Sequence, residues 1–318
     1  NDEFVNMLTQ NGYQGESQEE IVDRWFQTLC RTIGNEQGVD VTGSGYVQIN
    51  RRDDGKTEST ADGDYTVTLN RPESLNSLNY ELVMGVIAAF DEASSNNEIR
   101  SVILTGEGRG FCSGADLTGG GWPNEPEWTA GESAANSMII GMNPMIKKIV
   151  NCPKPVVNAI NGVAAGGGAG LALSGDIIIA SKSAKFKLVF GNQLGIISDV
   201  GASWFVPNLL SRARANGLAM LGEDLSAEKA EEWGLLWKTF SDEDLMDEAM
   251  KIASKMADGA IEGLKAIVHS HDNALVSTLE DQLEYETKTQ RVLCDAPPFK
   301  EGIMAFLEKR KPNFRNLK

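Results

Sequence analysis

Two apolar runs of strand length stand either side of one short glycine-rich stretch, and this arrangement constrains the fold more than any other feature of the chain. Pro155–Ile160 (PVVNAI) reads as a buried strand, and Asp176–Ala180 (DIIIA) reads as another. Between them runs Asn161–Asp176, NGVAAGGGAGLALSGD, with three consecutive glycines in an otherwise small and apolar segment. Leu171–Leu173 reads as the start of a short helix. Glycine has no Cβ, so the backbone here can come very close to a ligand. Glycine N–H groups in the first turn of a helix have no intrahelical acceptor. They would point, with the helix dipole behind them, at something electron-rich.

The rest of the chain continues the alternation. Val41–Arg51 and Asp64–Asn70 read as strands, joined by a polar Arg52–Gly63 hairpin with two Asp/Gly turn signals. Asn79–Ser95 is an amphipathic helix with Leu82, Val86, Ala89 and Phe90 on one face. Ser101–Thr105 is a buried strand, and Gly106–Gly121 (GEGRGFCSGADLTGGG) is a long glycine-rich loop. Met138–Val150 reads as helical. Phe186–Phe190 and Leu235–Phe240 are expected as short strands. Asp199–Leu210, Ser211–Leu221 and Ala227–Trp233 are expected as helices, the last with Ser226 as N-cap. Ser241–Phe306 is helical in pieces split at Gly259, Asp272 and Pro297-Pro298. Strand and helix in this order predict α/β construction with a parallel sheet. Three parts are expected: an N-terminal helical extension over residues 1–40, with Ile21, Trp25, Leu29 and Ile33 at spacing four; a core over 41–258; and a helical region over 259–318.

Charge and rare residues narrow the function. The formal net charge of −16 argues against nucleic acid or an anionic membrane as a general partner, since both need a basic face. No apolar run reaches the roughly 20 residues of a membrane span. The stretch NDEFVNMLTQ lacks the basic and apolar regions of a secretory signal. Cys30, Cys112, Cys152 and Cys294 are far apart and read as reduced thiols of an intracellular protein, with cytoplasm and organelle matrix (mitochondrion or peroxisome) not distinguished. The only histidines, His269 and His271, read as a helix-surface pair, because nothing nearby completes a metal site. No metal is expected.

Neither glycine loop has the spacing of a dinucleotide fingerprint or of a Walker phosphate loop. Taken alone, the glycines support tight turns as readily as a ligand site. The combination says more. RGFCSGADL, then NGVAAGGGAGLALSGDIIIAS, then AKF…LGIISDVGASWFVP, in this order and spacing, resemble the crotonase (enoyl-CoA hydratase/isomerase) superfamily. TVTLNRPESLNSLN resembles its first strand and turn, and LSAEKAEEWGLLWK and FKEGIMAFLEKRKPNF its later helices. The resemblance covers Gly45 to Phe314. The second half is most similar to the isomerase branch that includes Δ3,Δ2-enoyl-CoA isomerases and the ring-opening isomerase of phenylacetate degradation.

The resemblance implies a β-β-α spiral with a C-terminal helical trimerisation region, assembled as a homotrimer or hexamer. It implies acyl-CoA thioester substrates, as in fatty acid metabolism, and no cofactor beyond the coenzyme A of the substrate. Its shared step is a thioester enolate held by two backbone N–H groups, here those of Ala115 and Gly167. Ser113, Gly114, Asp116, Leu117, Gly166 and Trp204 would line the substrate site, with Asp116 structural and its neighbours beside the adenine. Arg71, Lys300 and Lys309 would supply charge for the phosphates, the two lysines through a neighbouring subunit. Hydratases of the family use two glutamates. Gly170 stands at the first of those positions, and Val189 or Phe190 at the second. Water addition needs a base and an acid, so hydration is disfavoured. Asp199, in IISDVGAS, matches the catalytic aspartate of the isomerase branch. A single carboxylate is enough to carry a proton from C2 to C4, and the apolar neighbours Ile196, Ile197, Val200 and Trp204 would raise its pKa. An aspartate before a helix also reads as an N-cap, and both readings stand. Two further expectations are an acyl pocket lined by Trp122, Trp128, Met138 and Met142, with core packing as the alternative for the Met-rich helix, and an Asp176 that caps or supports the strand after the glycines. The expected activity is acyl-CoA double-bond isomerisation of the Δ3 to Δ2 type. The alternatives are a ring-opening isomerase or lyase, or a non-catalytic acyl-CoA binder.

Overall fold

The computed structural model describes Val47–Arg51, residues 64–315 and Leu317. The extension expected over residues 1–40 and the Arg52–Gly63 hairpin lie outside the described residues. The buried apolar runs form a six-stranded sheet: β1 (Val47–Arg51), β2 (Asp64–Leu69), β3 (Ser101–Gly106), β5 (Val156–Ile160), β7 (Ile177–Ser181) and β10 (Lys238–Phe240), neighbours in that order. β1 pairs antiparallel with β2, and every later pairing in this sheet is parallel. Three-residue strands build a second sheet in the order β4 (Gly110–Cys112), β6 (Val163–Ala165), β8 (Lys185–Lys187) and β9 (Asp224–Ser226). The chain lays a strand in the first sheet, then a short one in the second, and returns to the first. This recurs at β3–β4, β5–β6 and β7–β8, which is the expected β-β-α spiral.

Helices fill the returns. They are α1 (Tyr80–Ser95), α2 (Ala130–Ser137), α3 (Asn143–Val150), α4 (Gly167–Ala172), α5 (Ala202–Leu209), α6 (Arg212–Leu221) and α7 (Ala227–Trp233). Asn79 starts α1, its Oδ1 accepting from the Leu82 N–H at 2.9 Å. Leu82, Val86, Ala89 and Phe90 of α1 are fully buried in the main core with Tyr65, Val67 and Leu69 of β2. The other face of the six-stranded sheet is covered by α8 (Leu245–Ala257). There Leu245, Ala249 and Ala253 meet Ile103, Val157 and Ile179. The chain ends in α9 (Ile261–Ala274), α10 (Leu279–Asp295) and α11 (Pro297–Glu308), each packed on the next. No helix among the described residues is long and apolar enough to cross a membrane.

A buried ion pair ties this helical region to the core. Lys265 Nζ of α9 lies 2.8 Å from Asp176 Oδ1, with both side chains more than nine-tenths buried. Asp176 Oδ2 also accepts from the Val156 N–H at 2.9 Å. Asp176 therefore supports β5, the strand before the glycines, rather than the one after. Burial raises its pKa, and Lys265 opposes that shift.

Several boundaries differ from the sequence reading, among them a strand expected over Leu235–Phe240 that begins at Lys238. The helix expected from Leu171 begins at Gly167, because glycine and alanine suffice where neighbouring backbone does the packing. The Phe186–Phe190 strand stops at Lys187, and a π turn follows over Phe190–Leu194. The helix expected from Asp199 starts at Ala202, after left-handed residues at Val200 (φ 49°) and Gly201 (φ 81°). Asp272 lies inside α9. The break falls after Ala274, where Thr278 caps α10 by accepting from the Asp281 N–H at 3.2 Å. His269 and His271 are both exposed on α9, as expected of a surface pair.

Candidate active site

The two glycine loops meet backbone to backbone. Leu78 bridges Ala115 in parallel register: the Leu78 N–H donates to Gly114 O at 2.8 Å, and the Asp116 N–H donates to Leu78 O at 3.1 Å. That alternation turns the N–H of Ala115 away from Leu78. On the far side lies the second loop. A Cβ on Gly114 (φ 94°) would sit 2.8 Å from Ala165 O and 3.2 Å from Gly167 N. No side chain fits at Gly114, so the first loop must be glycine where it touches the second. Gly166 (φ 53°) makes the turn into α4, its N–H donating to Lys187 O at 2.9 Å. Gly167 follows as the first helical residue, where an N–H has no intrahelical acceptor. The amide-bearing residues Ala115 and Gly167 thus flank one junction.

Asp199 reaches the same junction. A Cβ on Gly167 would lie 3.5 Å from Asp199 Oδ1 and 2.7 Å from Val200 Cγ2. The carboxylate is half-buried, and burial raises its pKa above the usual carboxylate range, opposed only by its own backbone N–H. Among the described residues no basic side chain pairs with it. It does not cap α5, whose N-cap is Gly201 without a side-chain hydrogen bond. Of the expected apolar neighbours only Val200 is buried. Ile196, Ile197 and Trp204 are exposed and do not form the expected apolar cage around it. Val200 is β-branched at positive φ, a conformation that costs about 1–3 kcal/mol and persists only where the surroundings impose it.

The surroundings here are Gly168 and Gly170. A Cβ on Gly168 would lie 2.1 Å from Cys112 O, and one on Gly170 2.1 Å from Val200 O. α4 is therefore clamped between β4 and the Asp199–Gly201 turn with no room for a side chain at either position. Of the two positions, Phe190 is buried in the core, whereas Val189 Cγ2 would lie 3.6 Å from a Cβ on Gly166. An apolar methyl faces the glycine turn there. The Cys112 thiol, pushed up to about 12 by burial, is packing and not a nucleophile.

The matching family model is described as enoyl-CoA hydratase/isomerase and spans residues 60–317. The chain belongs to this family. It is 44% identical to a 1,2-epoxyphenylacetyl-CoA isomerase of Escherichia coli (strain K12), over 79% of this chain and 95% of that protein. It is 30% identical to a trans-2-decenoyl-[acyl-carrier-protein] isomerase of Streptococcus mutans, over 78% and 93%. The crystal structure of an enoyl-CoA hydratase from Polaromonas sp. JS666 superposes with a TM-score of 0.74 at 34% identity, covering 84% of this chain and 98% of that one. The chain is thus a crotonase-family enzyme, an isomerase or a hydratase, with the α/β crotonase fold.

Within that fold the remaining site candidates separate. Arg71 and Asp116 form a largely buried ion pair at 3.0 Å, and Arg71 Nη1 also donates to Ser77 O at 2.7 Å. The Thr118 hydroxyl and amide, and then Arg71, hold the Asp116 carboxyl below the usual range. This pair braces the first loop, and its guanidinium is already engaged within the chain. Ser113 is likewise tied down, its Oγ donating to Ser74 O at 3.0 Å. Leu117 is exposed beside Ala115. Trp204 lies on α5, edge-on to Phe205. Lys300 and Lys309, at the two ends of α11, are exposed, and α11 packs on α10 rather than on the glycine loops. Met142 belongs to the core, with Met138 packed against it, while Trp122 sits over Gly141 and edge-on to Tyr80. Val189 and the Asp199–Gly201 turn were not separable by sequence, because register and positive φ leave no side-chain signature.

Proposed function

We propose that the chain is an acyl-CoA isomerase that works through a thioester enolate. The N–H groups of Ala115 and Gly167 hold the carbonyl oxygen as negative charge develops on it. Asp199 takes the proton from C2, so that the C2–H electron pair enters the enolate. It then returns that proton to C4, and the double bond moves from C3–C4 to C2–C3. Neither step calls for a metal or redox cofactor. The observation that carries this reading is the approach of Asp199 Oδ1 to the Gly167 junction, 3.5 Å from where a Cβ on Gly167 would lie, with no acid at Gly170 or Val189. Desolvation makes it a stronger base than an ordinary aspartate.

A linear 3-enoyl-CoA is the first substrate to test. A ring-derived thioester is the second, favoured by the 44% identity to a 1,2-epoxyphenylacetyl-CoA isomerase. Following conjugated 2-enoyl thioester formation in the ultraviolet, beside consumption of 1,2-epoxyphenylacetyl-CoA, separates the two. Hydration of a 2-enoyl-CoA faster than either conversion would sink the isomerase assignment. Binding without turnover over the whole panel would mark an acyl-CoA binder.

The same reading includes assembly into a trimer or a dimer of trimers. α9 to α11 expose Leu279, Val276, Phe306 and Leu307, and a groove of about 610 Å³ runs between α9 and α11 past Leu264, Ile267 and Ile303. Contiguous apolar surface of this kind marks an interface. It would let Lys300 and Lys309 reach a neighbour's phosphates. Light scattering should give three or six times the chain mass of 34.4 kDa, and a monomer would overturn the assembly.

A further inference from the structure

Asn158 is the single polar residue in the apolar strand β5 (VVNAI) and is wholly buried. Its Nδ2 donates to Leu171 O at 3.0 Å and to Ala172 O at 3.1 Å, the last two residues of α4. Its Oδ1 takes no hydrogen bond among the described residues. A half-satisfied amide in a dry strand is a standing cost to stability, and such a group needs an explanation. An apolar residue would fill the strand without that cost.

The explanation lies in what the amide grips. α4 has six residues and on the order of two internal hydrogen bonds, so it cannot fix its own position. Its first end is held by Gly166 on Lys187, and its flanks are held by close backbone contact at Gly168 and Gly170. Its last carbonyls are held by Asn158, whose strand is paired on both sides, by β3 and by β7, with Ser174 Oγ also donating to Leu171 O at 2.7 Å. A Cβ on Gly175 would lie 2.7 Å from Asn158 Cγ and Oδ1, so the seat of this amide itself requires glycine.

We infer that Asn158 is a positioning residue: gripping the far end of α4 from the central sheet, it holds the Gly167 N–H where the enolate oxygen forms. This role rests on the enolate reading above. Small displacements of a group that meets the reacting atoms cost up to about 10²-fold in rate. The test uses the full chain, the thioester that the wild type converts, and a saturated acyl-CoA labelled with ¹³C at its carbonyl. For Asn158→Ala the expected result is a kcat about 10- to 100-fold lower, with KM nearly unchanged. The infrared carbonyl stretch of the bound saturated thioester should move back toward its value in solution, as donor contact weakens. Asn158→Asp provides a pH readout. Burial raises the pKa of the new carboxyl, and its protonated form regains one donor for Leu171 O. Its kcat relative to wild type should therefore rise as pH falls. Gly175→Ala keeps the amide but displaces it, and should show the same split of kcat from KM if Asn158→Ala proves too unstable to assay. Wild-type kcat and a wild-type carbonyl shift in a thermally weakened Asn158→Ala would show a filler and overturn the role. Absence of both turnover and carbonyl shift in the wild type would instead overturn the enolate reading, and the role with it.

Discussion

Asp199→Asn should lower kcat by about 10²- to 10⁴-fold, the usual contribution of a general base, and at the same time raise the melting temperature at neutral pH. The second effect follows from the sign of the pKa shift. Burial lifts the folded-state pKa of Asp199 above its unfolded value. The native state then binds more protons than the unfolded chain between those two values. Stability falls as pH rises through that window and stays reduced above it. At neutral pH the native protein carries an unpaired, partly desolvated charge, and asparagine of the same shape removes it. A helix cap would behave oppositely, since losing its carboxylate at a helix start costs stability. Calorimetry and kinetics on one variant therefore distinguish base from cap. Unchanged kcat with CoA-ester binding intact would remove Asp199 from the chemistry, and a lowered melting temperature would show that its carboxylate stabilises the fold. The raised pKa also places the acid limb of the kcat/KM profile above the ordinary aspartate value of about 3.9, and Asp199→Asn should abolish that limb.

The frame of the molecule was legible because its signals are carried by side chains. Apolar runs such as SVILT, bounded by turn residues, mark the long strands, and Asn79 ahead of a periodic apolar face marks α1. The second sheet was poorly legible, because its strands have three residues each and only β8 overlaps a stretch that read as a strand. Among the described residues, the parts of the site that escape a residue-level reading are backbone properties. Ala115 and Gly167 offer an N–H that every non-proline residue possesses, so only resemblance to a family could single them out. Val200 is a β-branched residue whose type predicts extended backbone, yet it adopts φ 49° where the turn packs against α4. Asn158 is a lone polar residue in a strand, and its two acceptors are brought to it only by the crossover through β6 and α4.

Gly170 was first legible as the loss of a hydratase glutamate, and the structure turns that absence into a packing requirement. A Cβ there would lie 2.1 Å from Val200 O, 2.8 Å from Val200 C and 3.0 Å from Ala202 N. These are backbone atoms, which cannot swing aside as the end of a flexible side chain can. Gly170→Ala is therefore expected to push the Asp199–Gly201 turn away from α4. Overpacking of this kind costs about 1–3 kcal/mol, and moving Asp199 off the junction should lower kcat toward that of Asp199→Asn. Gly170→Glu should do the same and should not confer hydration, since the carboxylate has no space at the position where a hydratase would need it. The two variants separate placement from chemistry. Asp199→Asn loses activity and gains stability, whereas Gly170→Ala loses both. If Gly170→Ala retained the wild-type melting temperature and kcat, the turn would have slack, and the single-carboxylate site would owe nothing to the glycine. Appearance of hydratase activity in Gly170→Glu would show that the turn can retreat and leave room for a second carboxylate. Loss of both in Gly170→Ala would mean that in this chain the glycine that excludes one acid also fixes the other in place.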